Sequence, residues 1–167
     1  MKVRDVMRKR AVFCGLDTTL AGAAELMYKN GCGFLPVVGE GGNVIGAITD
    51  RDMCIALGTR DKTAVEVLVR DVMLPKQYTF PKLFTCTSDD DIHCVLATLR
   101  TARIRRIPVI DHEGGLVGVL SMDDIVLRAC VHSGKHDISC EDVVEAYKVI
   151  CAPQVICAPQ DVQTMRR

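Results

Sequence analysis

Net charge is the first thing this chain lacks. Its 21 basic and 21 acidic residues cancel, so no global field holds a polyanion, and nucleic acid is not an expected partner. Long apolar runs are also missing. No stretch approaches the ~18 consecutive apolar residues of a membrane span. The apolar run Ala11 to Leu16, behind basic Arg8, Lys9 and Arg10, is too short for a secretory leader and holds a glycine. The expected location is the cytoplasm, with no membrane partner. Cysteine is abundant at nine, but the number is odd and Cys-x-x-Cys is absent. Most of the thiols have apolar neighbours, so they read as core filler rather than a disulfide framework. Enzyme signatures are absent as well: there is no Gly-x-Ser-x-Gly and no His-Glu-x-x-His. Gly58-Thr59-Arg60-Asp61-Lys62-Thr63 lacks the glycine that a P-loop sets directly before its lysine. The expectation is a chain without catalytic activity.

What is present is a repeat. Gly46-Ala47-Ile48-Thr49-Asp50-Arg51-Asp52 recurs as Gly118-Val119-Leu120-Ser121-Met122-Asp123-Asp124, and Leu35-Pro36-Val37-Val38 as Ile107-Pro108-Val109-Ile110, at a constant offset of 72 residues. That spacing exceeds solenoid periods, so it predicts two pseudo-symmetric subdomains packed together. With 167 residues, 49% of them hydrophobic, the chain can bury a good-sized core. The first copy predicts an extended piece at Val12 to Cys14 and a helix capped by Asp17-Thr18-Thr19 and closed by Gly31. A strand Leu35 to Val38, a turn at residues 40 to 43, a strand Val44 to Ile48 and a helix Asp50 to Leu57 follow. The second copy predicts the same order, with Asp89-Asp90-Asp91 as helix-capping acids and a last helix Asp123 to Val131. His93-Cys94 is adjacent on a helix and points apart, so it is structural rather than a nucleophile and base.

Val3-Arg4-Asp5-Val6-Met7 recurs as Val69-Arg70-Asp71-Val72-Met73 at an offset of 66, which leaves six extra residues within 74 to 84. Thr63-Ala64-Val65-Glu66 reads as a capping box opening a linking helix to about Met73. The predicted division is residues 1–62, 63–131 with the linking helix, and a tail 132–167 holding one helix. That helix starts at Ser139-Cys140-Glu141-Asp142 and packs through Val143, Val144, Tyr147 and Ile150. The hexapeptide Val149 to Gln154 is repeated verbatim from Val155 to Gln160, and its prolines forbid a continuous helix.

The candidate chemistry lies at Thr49-x-x-Asp52 and Ser121-x-x-Asp124. Each is a capping box in its plain reading. Each also follows Gly-x-hydrophobic on a buried strand, which leaves open backbone beside a helix start, and its carboxylate suits a ribose diol while its hydroxyl suits a phosphate. These motifs, in order and twice, resemble the cystathionine β-synthase (CBS) domain over about residues 1 to 131, and two in tandem resemble a Bateman module. The resemblance implies an α/β (α+β) fold of two β-α-β-β-α units, here with a C-terminal helix. It implies clefts for adenosine ligands such as AMP, ADP, ATP or S-adenosylmethionine, with NADH a further alternative. It also implies a regulatory role without a required cofactor, a homodimer, and an effector protein that the sequence does not identify. The family's hydroxyl and ribose-binding acid map onto Thr49 and Asp52, and onto Ser121 and Asp124.

The copies differ just before the Pro-Val strand, where the second has Arg103, Arg105 and Arg106 and the first Gly31, Gly33 and Phe34. Arg100 and Arg103 read as solvated charges. Arg105 and Arg106 fall where the family often sets a basic residue near phosphate, and guanidinium suits bidentate phosphate binding. Phe34 offers a stacking face to adenine. The sequence assigns neither arginine to a particular cleft. A second constellation, Cys130, His132, His136 and Cys140, has the ligand types for tetrahedral zinc at a spacing that matches no standard finger. It supports the rival reading of a metal- or thiol-responsive sensor.

Overall fold

A computed structural model describes residues 1–73, 83–129 and 138–153. A 3-10 turn at Val3–Asp5 leads to β1 (Arg8–Lys9), then α1 (Leu20–Lys29), the hairpin β2 (Phe34–Val38) and β3 (Val44–Thr49), and α2 (Asp50–Thr59). The second copy follows α3 (Val69–Met73) with β4 (Cys86–Thr87), α4 (Ile92–Ala102), β5 (Arg106–Ile110), β6 (Leu116–Ser121) and α5 (Met122–Val126). The C-terminal helix is α6 (Cys140–Cys151). Local chemistry sets these limits. Thr19 Oγ1 accepts from Gly22 N at 3.1 Å, Asp91 Oδ1 accepts from His93 N at 2.9 Å, and both hairpins turn on a glycine at positive φ, Gly42 at 82° and Gly114 at 86°. The tips of these hairpins meet where Val44 N donates to Gly114 O at 3.0 Å.

The duplicated Val-Arg-Asp-Val-Met segments explain the architecture. Each docks on the half opposite the one it precedes. Val3 N donates to Asp90 O and Arg4 N to Ser88 O, both at 3.0 Å, while Val69 N donates to Thr18 O at 2.8 Å and Arg70 N to Leu16 O at 3.1 Å. The side chains repeat the exchange: Arg4 pairs with Asp89, and Arg70 with Asp17. Val3 and Val6 accordingly belong to the core built on Ile92, Leu99, Ile107 and Leu120. Val67 and Val69 belong to the core built on Leu20, Leu35 and Ile48. Packing therefore does not follow the sequence division at 62/63.

Two glycines admit the crossing segments. A Cβ on Gly46 would lie 1.9 Å from Met73 Cε, and one on Gly118 would lie 2.6 Å from Arg8 O. The space beside Gly118 lets β1 pair with β6, Arg8 opposite Val119 and Lys9 opposite Gly118. The resulting sheet runs β1-β6-β5-β4, and β2-β3 forms the other.

Several expectations are corrected. The linking helix is confined to Val69–Met73, because Thr63 and Glu66 close a turn instead, Glu66 Oε2 accepting from Thr63 N at 2.8 Å and Thr63 Oγ1 at 2.6 Å. The extended piece at Val12 to Cys14 is present but pairs at one position, a parallel bridge between Cys14 and Val37. The helix expected to reach Val131 stops at Val126, where Arg128 N and Ala129 N both turn back to Ile125 O. Val144 faces outward at 51% exposure, whereas Val143 and Ala146 are buried. Among the described residues most cysteines are not buried in the core, although half-buried Cys32 packs against it. Among the described residues Cys14 and Cys86 are buried, but Cys54, Cys94, Cys140 and Cys151 are exposed.

Substituting Gly118→Ala is expected to cost about 1–3 kcal/mol, since the blocked atom is backbone. Gly46→Ala is expected to cost less, because the tip of Met73 can swing aside; urea unfolding of both variants checks the order. Burial raises the thiol pKa from 9.0 to about 11 at Cys14 and about 12 at Cys86. Both thiols are neutral in folded and unfolded chains below pH 9, and above it only the unfolded chain ionises them. Stability is therefore expected to fall as pH rises from about 9 through 12. Cys14→Ala and Cys86→Ala should flatten that alkaline loss in pH-dependent denaturation.

Candidate functional site

The return strand of each hairpin ends in a capping box whose carboxylate also holds the preceding hydroxyl. In the first copy Asp52 Oδ2 accepts from Thr49 Oγ1 at 2.6 Å and Thr49 N at 3.0 Å, and the pair lies exposed. In the second, Asp124 Oδ2 accepts from Ser121 Oγ at 2.5 Å and Ser121 N at 3.1 Å. Ser121 and Asp124 are 5% and 7% exposed, and they are the buried polar residues of the described chain. The same motif is thus solvated in one half and enclosed in the other.

What encloses the second pair is a cleft of about 260 Å³ between the halves, lined by residues of both. Ser121, Asp123, Asp124 and Arg106 come from the second copy, Phe34 and Cys32 from the first, and Arg8, Lys9 and Arg10 from the crossing N-terminal segment. Phe34 stands opposite Thr49 in the β2-β3 register, as Arg106 stands opposite Ser121 in β5-β6. These equivalent positions, one aromatic and one cationic, share one cleft. Its electrostatics centre on Asp124, whose Oδ1 accepts from Arg8 Nε at 2.7 Å. That hydrogen bond, then the carboxylate charge, raises the Arg8 pKa further. Asp123 Oδ2 lies 3.7 Å from Arg106 Nη2, and its Oδ1 accepts from Tyr147 Oη of α6 at 3.3 Å. Burial, then Asp123, raises the Tyr147 pKa.

Phe34, Arg106, Ser121 and Asp124 are thus brought together. Thr49 and Asp52 do not line this cleft. The residues that follow Met73, as residues 8–12 follow Met7, are 74–78 and lie outside the described residues. Arg105 is turned away, with its Nη2 donating to Cys151 Sγ at 3.4 Å. Arg100 and Arg103 are exposed, and Arg103 caps α4 at φ 53°. Cys130, His132 and His136 lie outside the described residues; Cys140 is exposed at the start of α6. No group of three or more His, Cys, Asp or Glu suited to a metal occurs among the described residues. Sequence reasoning missed Arg8, Lys9 and Arg10 as site residues. The sequence signal for them is three consecutive basic residues directly after the repeated Val3–Met7 segment.

The profile of the CBS domain matches twice, over residues 3–59 and 69–129, and the chain belongs to the CBS domain family as a tandem pair. It is 29% identical to an uncharacterized protein of Methanopyrus kandleri over 126 residues, 75% of this chain and 61% of that one. Hypoxic response protein 1 of Mycobacterium tuberculosis is 29% identical over 154 residues, 90% of this chain and 94% of that one. A crystal structure of a CBS domain pair in complex with 5′-methylthioadenosine and S-adenosyl-L-methionine superposes with a TM-score of 0.63 at 25% identity, over 76% of this chain and 94% of that one. The chain therefore spans 61% of the first of these relatives. No helix among the described residues is long and apolar enough to cross a membrane.

Loss of either capping box should cost about 1 kcal/mol. Asp124→Ala is expected to destabilise more than Asp52→Ala, because it also leaves buried Ser121 without its acceptor and Arg8 without its partner. Parallel chemical denaturation of the two variants checks the order.

Proposed function

We propose that the protein is a non-catalytic regulatory module that binds an adenosine ligand in the cleft between its two CBS domains. The observation that carries this reading is the convergence of Phe34 from one half with Ser121 and Asp124 from the other around one opening. Asp124 can accept a ribose hydroxyl through Oδ1, the oxygen not committed to the capping box. Phe34 can cover the base, and Arg106 can meet a phosphate. A CBS pair of this fold is known with adenosyl ligands bound, which supports the same chemistry here. The ligand would touch both halves at once. It would therefore favour one relation between them over others, and through that difference in affinity it would bias a partner or a dimer. Thr49 and Asp52 are the equivalent pair for a second, more open site.

Thermal unfolding against AMP, ADP, ATP, S-adenosylmethionine and NADH tests the proposal. A ligand at 100 times its Kd should add about 2.7 kcal/mol and raise the Tm accordingly. The rise is expected with at least one of them, to vanish in Asp124→Ala, and to persist in Asp52→Ala. Absence of any rise at millimolar concentration would remove the reading. Loss in Asp52→Ala alone would move the site to the other half.

A further inference from the structure

The wall of the cleft contributed by the N-terminal segment is strongly basic. Arg8, Lys9 and Arg10 stand there with Arg106, four cations against the two carboxylates of Asp123 and Asp124. Arg8 is engaged by Asp124 and Arg106 lies near Asp123, while among the described residues neither Lys9 nor Arg10 pairs with a carboxylate. Among the described residues that line the cleft, cations therefore exceed carboxylates by two. Arg10 is held at φ 58°, a left-handed conformation that glycine or asparagine adopts at lower cost. An arginine nonetheless occupies it, among the residues that line the cleft.

The Arg8 contact adds a second constraint. Its guanidinium sits on Asp124 Oδ1, the oxygen that a ribose hydroxyl would need. A bound nucleoside must share or break that pair. A ligand without phosphate gives Arg8 nothing in return and leaves a charge-assisted hydrogen bond weakened. A ligand with a phosphate chain offers the guanidinium a bidentate anionic partner a short swing away, next to Lys9, Arg10 and Arg106. A sulfonium ligand fares worst, because it carries positive charge toward the same wall.

We infer that this cleft selects nucleotides by their phosphate chain, favouring nucleoside di- and triphosphates over adenosine and S-adenosylmethionine, with Arg8 passing from Asp124 to phosphate as the ligand enters. The inference rests on the adenosine reading above and specifies its ligand class. Its determinants lie mainly at Arg8, Lys9 and Arg10 rather than in the repeated Ser/Thr-x-x-Asp motifs.

Calorimetric titration of the whole chain with adenosine, AMP, ADP, ATP and S-adenosylmethionine tests it, on wild type, Lys9→Gln/Arg10→Asn and Arg8→Gln. Asparagine tolerates the left-handed backbone at position 10, so the double variant keeps the fold. Wild type is expected to bind ADP and ATP at least tenfold more tightly than adenosine or S-adenosylmethionine. The double variant should lose most of that ratio. Arg8→Gln should weaken ADP while leaving adenosine equal or tighter, since no ion pair then competes for Asp124. Adenosine or S-adenosylmethionine binding wild type as tightly as ADP would overturn the inference, as would a preference that survives in Lys9→Gln/Arg10→Asn. Failure of every adenosine compound to bind would instead overturn the adenosine reading itself.

Discussion

The crossing of the two Val-Arg-Asp-Val-Met segments is the constraint on which the rest depends. Each segment supplies valines to the core of the other half, two backbone hydrogen bonds and an arginine-carboxylate pair. Neither half closes its core from its own repeat alone, so the two are expected to fold and hold together as one unit. The exposed ion pairs add little by themselves. The energy lies in burying residues such as Val3 and Val69, which are wholly inaccessible to solvent, and fully burying such a side chain contributes about 1.5–3 kcal/mol.

The same crossing builds the cleft. Gly118 leaves room for the Arg8 carbonyl, β1 pairs with β6, and Arg8 then reaches Asp124. The pseudo-symmetry of the fold is broken at this site by two sequence differences: Phe34 stands where the other copy has Arg106, and Gly33 where it has Arg105. Gly33 also has a local reason, because a Cβ there would lie 2.4 Å from Asp50 Oδ2. The position equivalent to Asp50 in the second copy is Met122, and Arg105 extends toward Cys151 on α6. Through Tyr147 and Asp123, α6 also touches the acidic edge of the cleft. The tail helix thus touches Asp123, the chain neighbour of Asp124 and the carboxylate near Arg106.

Much of this was legible in the sequence, and the misses have physical causes. Elements with strong local signals formed as expected: α1 behind Thr19, both hairpins around their glycines, and α6 behind Ser139. Phe34, Arg106, Ser121 and Asp124 were named as candidates and share a cleft. Thr63-x-x-Glu66 misled because a hydroxyl-to-carboxylate contact closes an isolated turn as readily as it starts a helix. The segment exchange was not legible, because an offset of 66 or 72 records duplication and not which copy a segment packs against. Arg8 became a site residue only through that exchange, across a sequence separation of 116 residues from Asp124. Exposed Cys54 and Cys94 escaped because apolar neighbours in sequence lie on other faces of a helix.

A crystal structure of the protein grown with ADP tests the central claim most directly. The account predicts ribose hydroxyls on Asp124, the base against Phe34, and the phosphates among Lys9, Arg10 and Arg106, with the Arg8 guanidinium moved off the carboxylate onto them. A cleft without nucleotide at saturating ADP, or nucleotide bound elsewhere with Arg8 still on Asp124, would contradict it.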